Sequence, residues 1–256
     1  MENDFQSKGP ELMVVMPVYN EQASVRKAVT EFFTEIENWT ERFVFLALDD
    51  GSSDDTPRVL NRLREQLGPR FEVIRHTNRG HGQTCMAGYR AAIERGIPFV
   101  LQIDSDGQCD PQYFFRFWRL REKADVIYGL RTKRDDGLRR MIASMAVRAL
   151  LLFAYGVLCL DANVPYRLMR TEKLAPLLDR VPVDFSLANI GLAVMMRRDP
   201  AWKHAYVRIH FRERYGGEPS VKLSLFGRKA FQLYFDIRRM LSHVSVRRTA
   251  SERETV

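Results

Sequence analysis

Cysteine is scarce: three in 256 residues, at positions 85, 109 and 159, with no CxxC pair and no Cys/His cluster. That removes a disulfide framework and a zinc site from consideration and suits a reducing compartment. The phosphate-cradling signature GxxxxGK[ST] is missing, and so is the GxGxxG of dinucleotide-binding turns. The opening residues, MENDFQSKGPEL, are acidic and polar and lack the apolar core of a secretion signal, so a cytoplasmic location is expected. There is no internal repeat or low-complexity tract. Met141 to Leu160 has close to the roughly 20 residues that cross a bilayer. Arg148 interrupts this run, Gly156 weakens it, and Arg139 and Arg140 sit just ahead. A buried helix, or short helices lying on a membrane surface, fits it better than a span.

What is present is an ordinary globular mixture, 45% hydrophobic and 28% charged, enough for one large domain with at most a small appendage. The formal charge of +8 favours an anionic partner: nucleotide, lipid phosphate, membrane surface or nucleic acid. Nucleic acid is the poorest fit, because the arginines do not gather on one recognition helix.

The first half alternates apolar runs with helical spacing. Strands are expected at Leu12–Pro17, Phe43–Leu48, Phe71–His76 and Phe99–Asp104, with helices at about 21–36, 58–67 and 82–95 between them. Asp125 to Tyr128 reads as a fifth strand, 185–197 as a helix and His204–Phe211 as a further strand. This alternation implies βαβ units: an α/β fold with a mostly parallel sheet and helices on both faces. Ligands of such sheets bind beyond the carboxyl ends of the strands. The polar clusters fall there: Tyr19-Asn20-Glu21, Asp49-Asp50-Gly51-Ser52, His76 to Gly82, and Asp104-Ser105-Asp106-Gly107-Gln108.

Asp104-x-Asp106 is the strongest chemical feature. Two carboxylates where a strand gives way to a turn can face one hard cation, Mg²⁺ or Mn²⁺, which takes oxygen ligands and leaves positions for a diphosphate. Gln108 offers another oxygen. An isolated DxD is usually a solvated turn; its register with three other polar strand ends makes the metal reading the better one. Asp50 could accept from a base N–H or cap the next helix. The glycines around His81 suit a loop close to phosphate, with His81 an electrostatic partner rather than a base.

PVYNE, DDGSSDDT, NRGHG and DSDGQ, in this order and spacing, resemble family 2 glycosyltransferases of the GT-A fold, and most closely the dolichyl- or polyprenyl-phosphate sugar synthases. The resemblance covers about residues 12–225, more loosely after 131. It implies that Pro17, Tyr19, Glu21, Asp50, Asp104 and Ser105 bind the nucleotide and that Asp104, Asp106 and Gln108 hold the metal. It also implies that Arg131, Arg140, Ser144 and Arg214 hold an acceptor phosphate, a role that guanidinium forks suit. Asp106 and Arg131 would then act at the reacting centre, joined by Asp184 as general base if the acceptor is a sugar hydroxyl. The sequence departs from those synthases in Pro219-Ser220-Val221-Lys222 and in DANVPYRLMR, and no membrane-spanning helices follow the last motif.

The expectation is an inverting enzyme taking sugar from a UDP- or GDP-sugar to a polyprenyl or dolichyl phosphate. The alternatives are a saccharide hydroxyl as acceptor, or a sugar nucleotidyltransferase. The basic loop 131–140, the apolar segment and a basic amphipathic helical tail at 226–246 suit a peripheral enzyme on an anionic cytoplasmic membrane face, and a homo-oligomer is possible. Residues 1–11 read as an extension and 247–256 as a disordered tail.

Overall fold

The computed structural model describes residues 9–135, 138–181, 187–216 and 233–241. Seven strands form one sheet: β1 (Leu12–Val18), β2 (Phe43–Asp49), β3 (Phe71–Arg75), β4 (Phe99–Gln102), β5 (Val126–Arg134), β6 (Arg167–Arg170) and β7 (His204–Phe211). The helices are α1 (Val25–Glu37), α2 (Thr56–Leu67), α3 (His81–Glu94), α4 (Phe114–Leu120), α5 (Leu138–Tyr155), α6 (Thr171–Leu178) and α7 (Ala188–Arg198). Residues 233–241 add a further helical stretch within the expected basic tail, whose remainder lies outside the described residues.

The strand order is β3-β2-β1-β4-β6-β5-β7. Strands β1 and β2 are buried at every residue, which is why they read as unbroken apolar runs rather than alternating ones. Connections β1→β2 and β2→β3 step one way along the sheet, so right-handed crossovers put α1 and α2 on one face. The chain then returns past β1 to lay down β4, which puts α3 on the other face. Between β1 and β4 the direction of winding reverses. This is the switch point at which an open α/β sheet leaves a crevice.

The expected mostly parallel sheet is present, and β6 is the strand that makes it mixed. It runs antiparallel to both β4 and β5, while the other strand pairings are parallel. Its four residues, RLMR, begin and end on arginine and show no apolar alternation, so the strand left no trace in the pattern.

The apolar segment resolves into α5, which ends at Gly156 with φ +65°. Leu151 is buried, whereas Met141, Ile142, Met145, Leu152 and Phe153 are exposed, Phe153 by 88%. Among the described residues no helix is long and apolar enough to cross a membrane.

Helix α3 crosses β1 closely at Gly88, where a methyl group would lie 2.3 Å from Val15 Cγ1 and 2.8 Å from its Cγ2. Gly88→Ala is therefore expected to destabilise the fold by about 1–3 kcal/mol in urea unfolding. Combining it with Val15→Ala should relieve part of the clash.

Candidate functional site

Three loops at the carboxyl ends of β1, β2 and β3 are tied to one another. Asn20, held at φ +53°, receives Ser53 N–H on its side-chain oxygen at 2.8 Å and gives its own N–H to Ser52 Oγ at 3.0 Å. Glu21 N–H reaches Thr56 Oγ1 at 2.9 Å, and Gln22 exchanges bonds with Asp54 and Asp55. Asp50, almost fully buried, accepts the N–H groups of Arg79 and Gly80 at 2.7 and 2.9 Å. The Asp50 carboxylate thus fixes the loop that delivers His81 to the first turn of α3. Tyr19 stands at the rim with 42% of its surface exposed, while Pro17 lies within β1 opposite Leu48.

Asp104 and Asp106 flank the turn after β4. His81 Nε2 lies 3.0 Å from Asp104 Oδ1, and the buried Gln102 amide is 3.4 Å from the same oxygen. Gln102 in turn accepts the Tyr89 hydroxyl at 2.8 Å. Burial pushes the Asp104 carboxyl up, but the His81 and Gln102 contacts and the charge of Arg131 outweigh it and hold it below the ordinary range. Cys85, against the opposing effect of burial, and the Asp104 carboxylate raise the His81 imidazole well above its usual value.

Asp106 goes the other way. Burial, and then the Asp104 charge, push its carboxyl up to about 6. The environment thus separates two neighbouring carboxyls in proton affinity. A divalent cation would favour the ionised form of both. Among the described residues no three His, Cys, Asp or Glu side chains form a closed cage. Two carboxylates are hard oxygen donors of the kind that suit Mg²⁺ or Mn²⁺ rather than a fully caged ion. Because a ligating carboxylate must be ionised, Mn²⁺ affinity should hold steady above about pH 6 and fall about tenfold per unit below it, as titrations in a series of buffers would read.

Residues 211–216 form a strap across this turn. Arg212 N–H donates to Gln108 O at 3.0 Å, Gln108 Nε2 to Arg212 O at 3.1 Å, and Tyr215 N–H to Asp106 O at 3.0 Å. Gly107, at φ +80°, is required there: a methyl group would sit 2.2 Å from the Tyr215 ring. Arg214 Nη1 lies 3.3 Å from Asp106 Oδ2, and its Nη2 pairs with Glu21 Oε1. Glu21 Oε2 also accepts Ser24 Oγ at 2.5 Å.

The structure thus gathers Glu21, Asp104, Asp106, Gln108, His81 and Arg214 at the switch point. Buried Ser105 sits between the two carboxylates. Arg131, which the sequence offered as a phosphate ligand, holds Asp161 through Nε at 2.6 Å and Nη2 at 2.5 Å, both side chains largely buried. Asp161 belongs to DANVPYRLMR, and nothing in the sequence tied it to an arginine 30 residues earlier. Glu21, offered as a nucleotide contact, is nearly buried and pairs with Arg214 and Ser24. Ser144 lies half-buried on α5, and the Arg140 backbone is in the same helix. Asp184 and Ser220 lie outside the described residues.

The glycosyl transferase family 2 model matches residues 13–204. An undecaprenyl-phosphate 4-deoxy-4-formamido-L-arabinose transferase of Pseudomonas syringae pv. syringae is 30% identical over 159 residues, 61% of this chain and 46% of that protein. The protein of the same name from Klebsiella pneumoniae is 32% identical over 143 residues, 54% and 42% of the two chains. The chain spans about half the length of these curated relatives.

Among solved structures, glucosyl-3-phosphoglycerate synthase from Mycobacterium tuberculosis in complex with phosphoglyceric acid superposes with a TM-score of 0.64 at 19% identity, covering 90% of this chain and 80% of that one. The same enzyme with Mn²⁺, uridine diphosphate and glucosyl-3-phosphoglycerate gives 0.63 at 18% identity, covering 87% and 78%. At that identity the likeness is one of fold. Taken with the motif order along the rim and the match from residue 13 to 204, it leads to one assignment: the chain belongs to glycosyl transferase family 2.

Proposed function

We propose that this chain transfers a sugar, with inversion at the anomeric carbon, from a UDP- or GDP-sugar to a polyprenyl phosphate. The observation that carries the reading is the pair Asp104 and Asp106, pushed apart in proton affinity, at the β1/β4 switch point. Relatives named for undecaprenyl phosphate support the acceptor, and the solved neighbour that holds uridine diphosphate with Mn²⁺ supports the donor.

In this reading Tyr19 and Pro17 line the nucleoside, and Asp50 shapes the loop beside the base. Asp104, Asp106 and Gln108 hold Mg²⁺ or Mn²⁺, which when bound neutralises the departing diphosphate. A lipid phosphate is already anionic, so the chain need only orient it against the anomeric carbon, with no strong base. Arg131, Arg140, Ser144 and Arg214 are the groups assigned to that task. The exposed apolar face of α5, with Arg148 on the same helix, would rest on an anionic membrane surface and bring the acceptor to the site. The cytoplasmic face is where a nucleotide sugar would be met.

Two experiments test this. With labelled donors, Mn²⁺ and undecaprenyl phosphate in vesicles, label should pass into the organic phase; label appearing only in soluble saccharide would reject the lipid acceptor. Phe153→Ser should weaken sedimentation with anionic vesicles several-fold, in line with the loss of one buried aromatic side chain. Undiminished sedimentation would remove α5 from the contact.

A further inference from the structure

The cation paired with Asp106, among the described residues, is Arg214. Its guanidinium lies between two nearly buried carboxylates, those of Asp106 and Glu21, while its Nε donates to Gly216 O at 3.0 Å. Asp106 is also the carboxylate that fits a divalent metal. A guanidinium and a divalent ion on one carboxylate repel each other at short range and in a poorly solvated site, so the two compete for it.

The strap itself is fastened elsewhere. Arg212 pairs with Asp110 at 2.6 Å and with Glu31 at 3.2 Å, and the Tyr215 hydroxyl donates to Glu31 at 2.7 Å. Lys27 Nζ lies 4.0 Å from the Tyr215 ring centre. The backbone bonds to Gln108 and Asp106 complete the attachment. None of these fastenings involves the Arg214 side chain, so its guanidinium can leave Asp106 while the strap stays seated.

We infer that Arg214 is a resident stand-in for the metal: its pairs with Asp106 and Glu21 keep free divalent cation out until a nucleoside diphosphate arrives with it. The arriving diphosphate supplies the negative charge that draws the guanidinium off Asp106. Metal and donor then bind as a strongly coupled pair, and Arg214 becomes available to an anion only once the donor is in place. This rests on the donor-site reading above.

The test measures Mn²⁺ binding by electron paramagnetic resonance at about pH 8, where Asp106 is ionised. Titrations are run without nucleotide and with uridine or guanosine diphosphate. In Arg214→Gln, Mn²⁺ alone should bind about tenfold tighter than in the unaltered protein, within the usual range of coupling between sites. The strengthening produced by the diphosphate should shrink in proportion. Arg214→Lys, which keeps the charge, should stay close to the unaltered protein. Arg214→Met, which removes the charge but keeps a long side chain, should strengthen Mn²⁺ binding to an extent similar to Arg214→Gln.

Unchanged or weaker Mn²⁺ binding in a folded Arg214→Gln protein would overturn the inference. If Arg214→Gln does not fold, Arg214→Met decides, and an unchanged affinity there overturns it equally. Diphosphate-dependent Mn²⁺ binding that is equal in all variants would sink this inference alone. Absence of Mn²⁺ binding to any of them, with or without diphosphate, would sink the donor-site reading with it.

Discussion

Asp106→Asn should lower kcat/KM for sugar transfer by at least about a thousandfold while leaving the thermal midpoint close to that of the unaltered protein. The amide has the shape of the carboxylate and keeps an oxygen for the Gln108 N–H now donated at 3.1 Å. The strap's bond at this residue is to the backbone oxygen of Asp106, which the change does not touch. What disappears is the negative charge that would hold the cation. Stability and activity should therefore part company. Steady-state kinetics beside a melting curve read both, and a variant with more than about a tenth of the original kcat/KM would show that this carboxylate does not hold the metal.

Arg167→Met carries the largest expected effect on stability, about 3–5 kcal/mol of loss. Arg167 is fully buried, yet its guanidinium donates to backbone carbonyls: Val164 O from Nε at 3.0 Å, Asn189 O from Nη1 at 3.1 Å, and Ala162 O from Nη2 at 3.1 Å. Its guanidinium also faces the Tyr128 ring at 5.4 Å. Methionine matches much of the volume but leaves three interior carbonyl groups without these donors, and that desolvation outweighs the relief of removing a buried charge. The same carbonyls belong to the loop that carries Asp161 and to the start of α7. The variant should thus also slacken the Asp161–Arg131 pair. Urea unfolding checks the first effect; a midpoint shift equivalent to less than about 1 kcal/mol would mean that water or other donors replace the guanidinium readily.

The fold is legible in the sequence wherever one local rule decides the outcome. The runs at Leu12–Val18 and Phe43–Asp49 are apolar throughout because both faces of the sheet are covered, and that pattern is visible without coordinates. The acidic strand ends followed from the same rule, since parallel strands deliver their carboxyl ends to one rim. The strand β6 was invisible because it is four residues long and is stabilised by neighbours on both sides rather than by its own pattern. Helix α4, FFRFWRL, is hidden for a similar reason: seven residues give too few turns for a periodicity to stand out.

At the site, the types of residue were legible and their pairings were not. Arg131 and Arg214 have the chemistry of phosphate ligands, but Asp161, Glu21 and Asp106 reach them across long sequence separations. Asp50 shows the same limit. Its place at the end of β2 is legible, but that its two oxygens take backbone N–H groups from a loop about thirty residues on is not. The split between Asp104 and Asp106 also depended on burial and on His81, neither of which a DxD pattern contains.

The central claim is that Asp104 and Asp106 form a metal-dependent donor site serving a lipid phosphate. Release of nucleoside diphosphate from a panel of UDP- and GDP-sugars, with and without Mn²⁺ and with and without undecaprenyl phosphate, tests it most directly. The account predicts rapid release from at least one donor only when cation and lipid phosphate are both present. Equal release without the cation, or no dependence on the lipid phosphate for any donor, would contradict it.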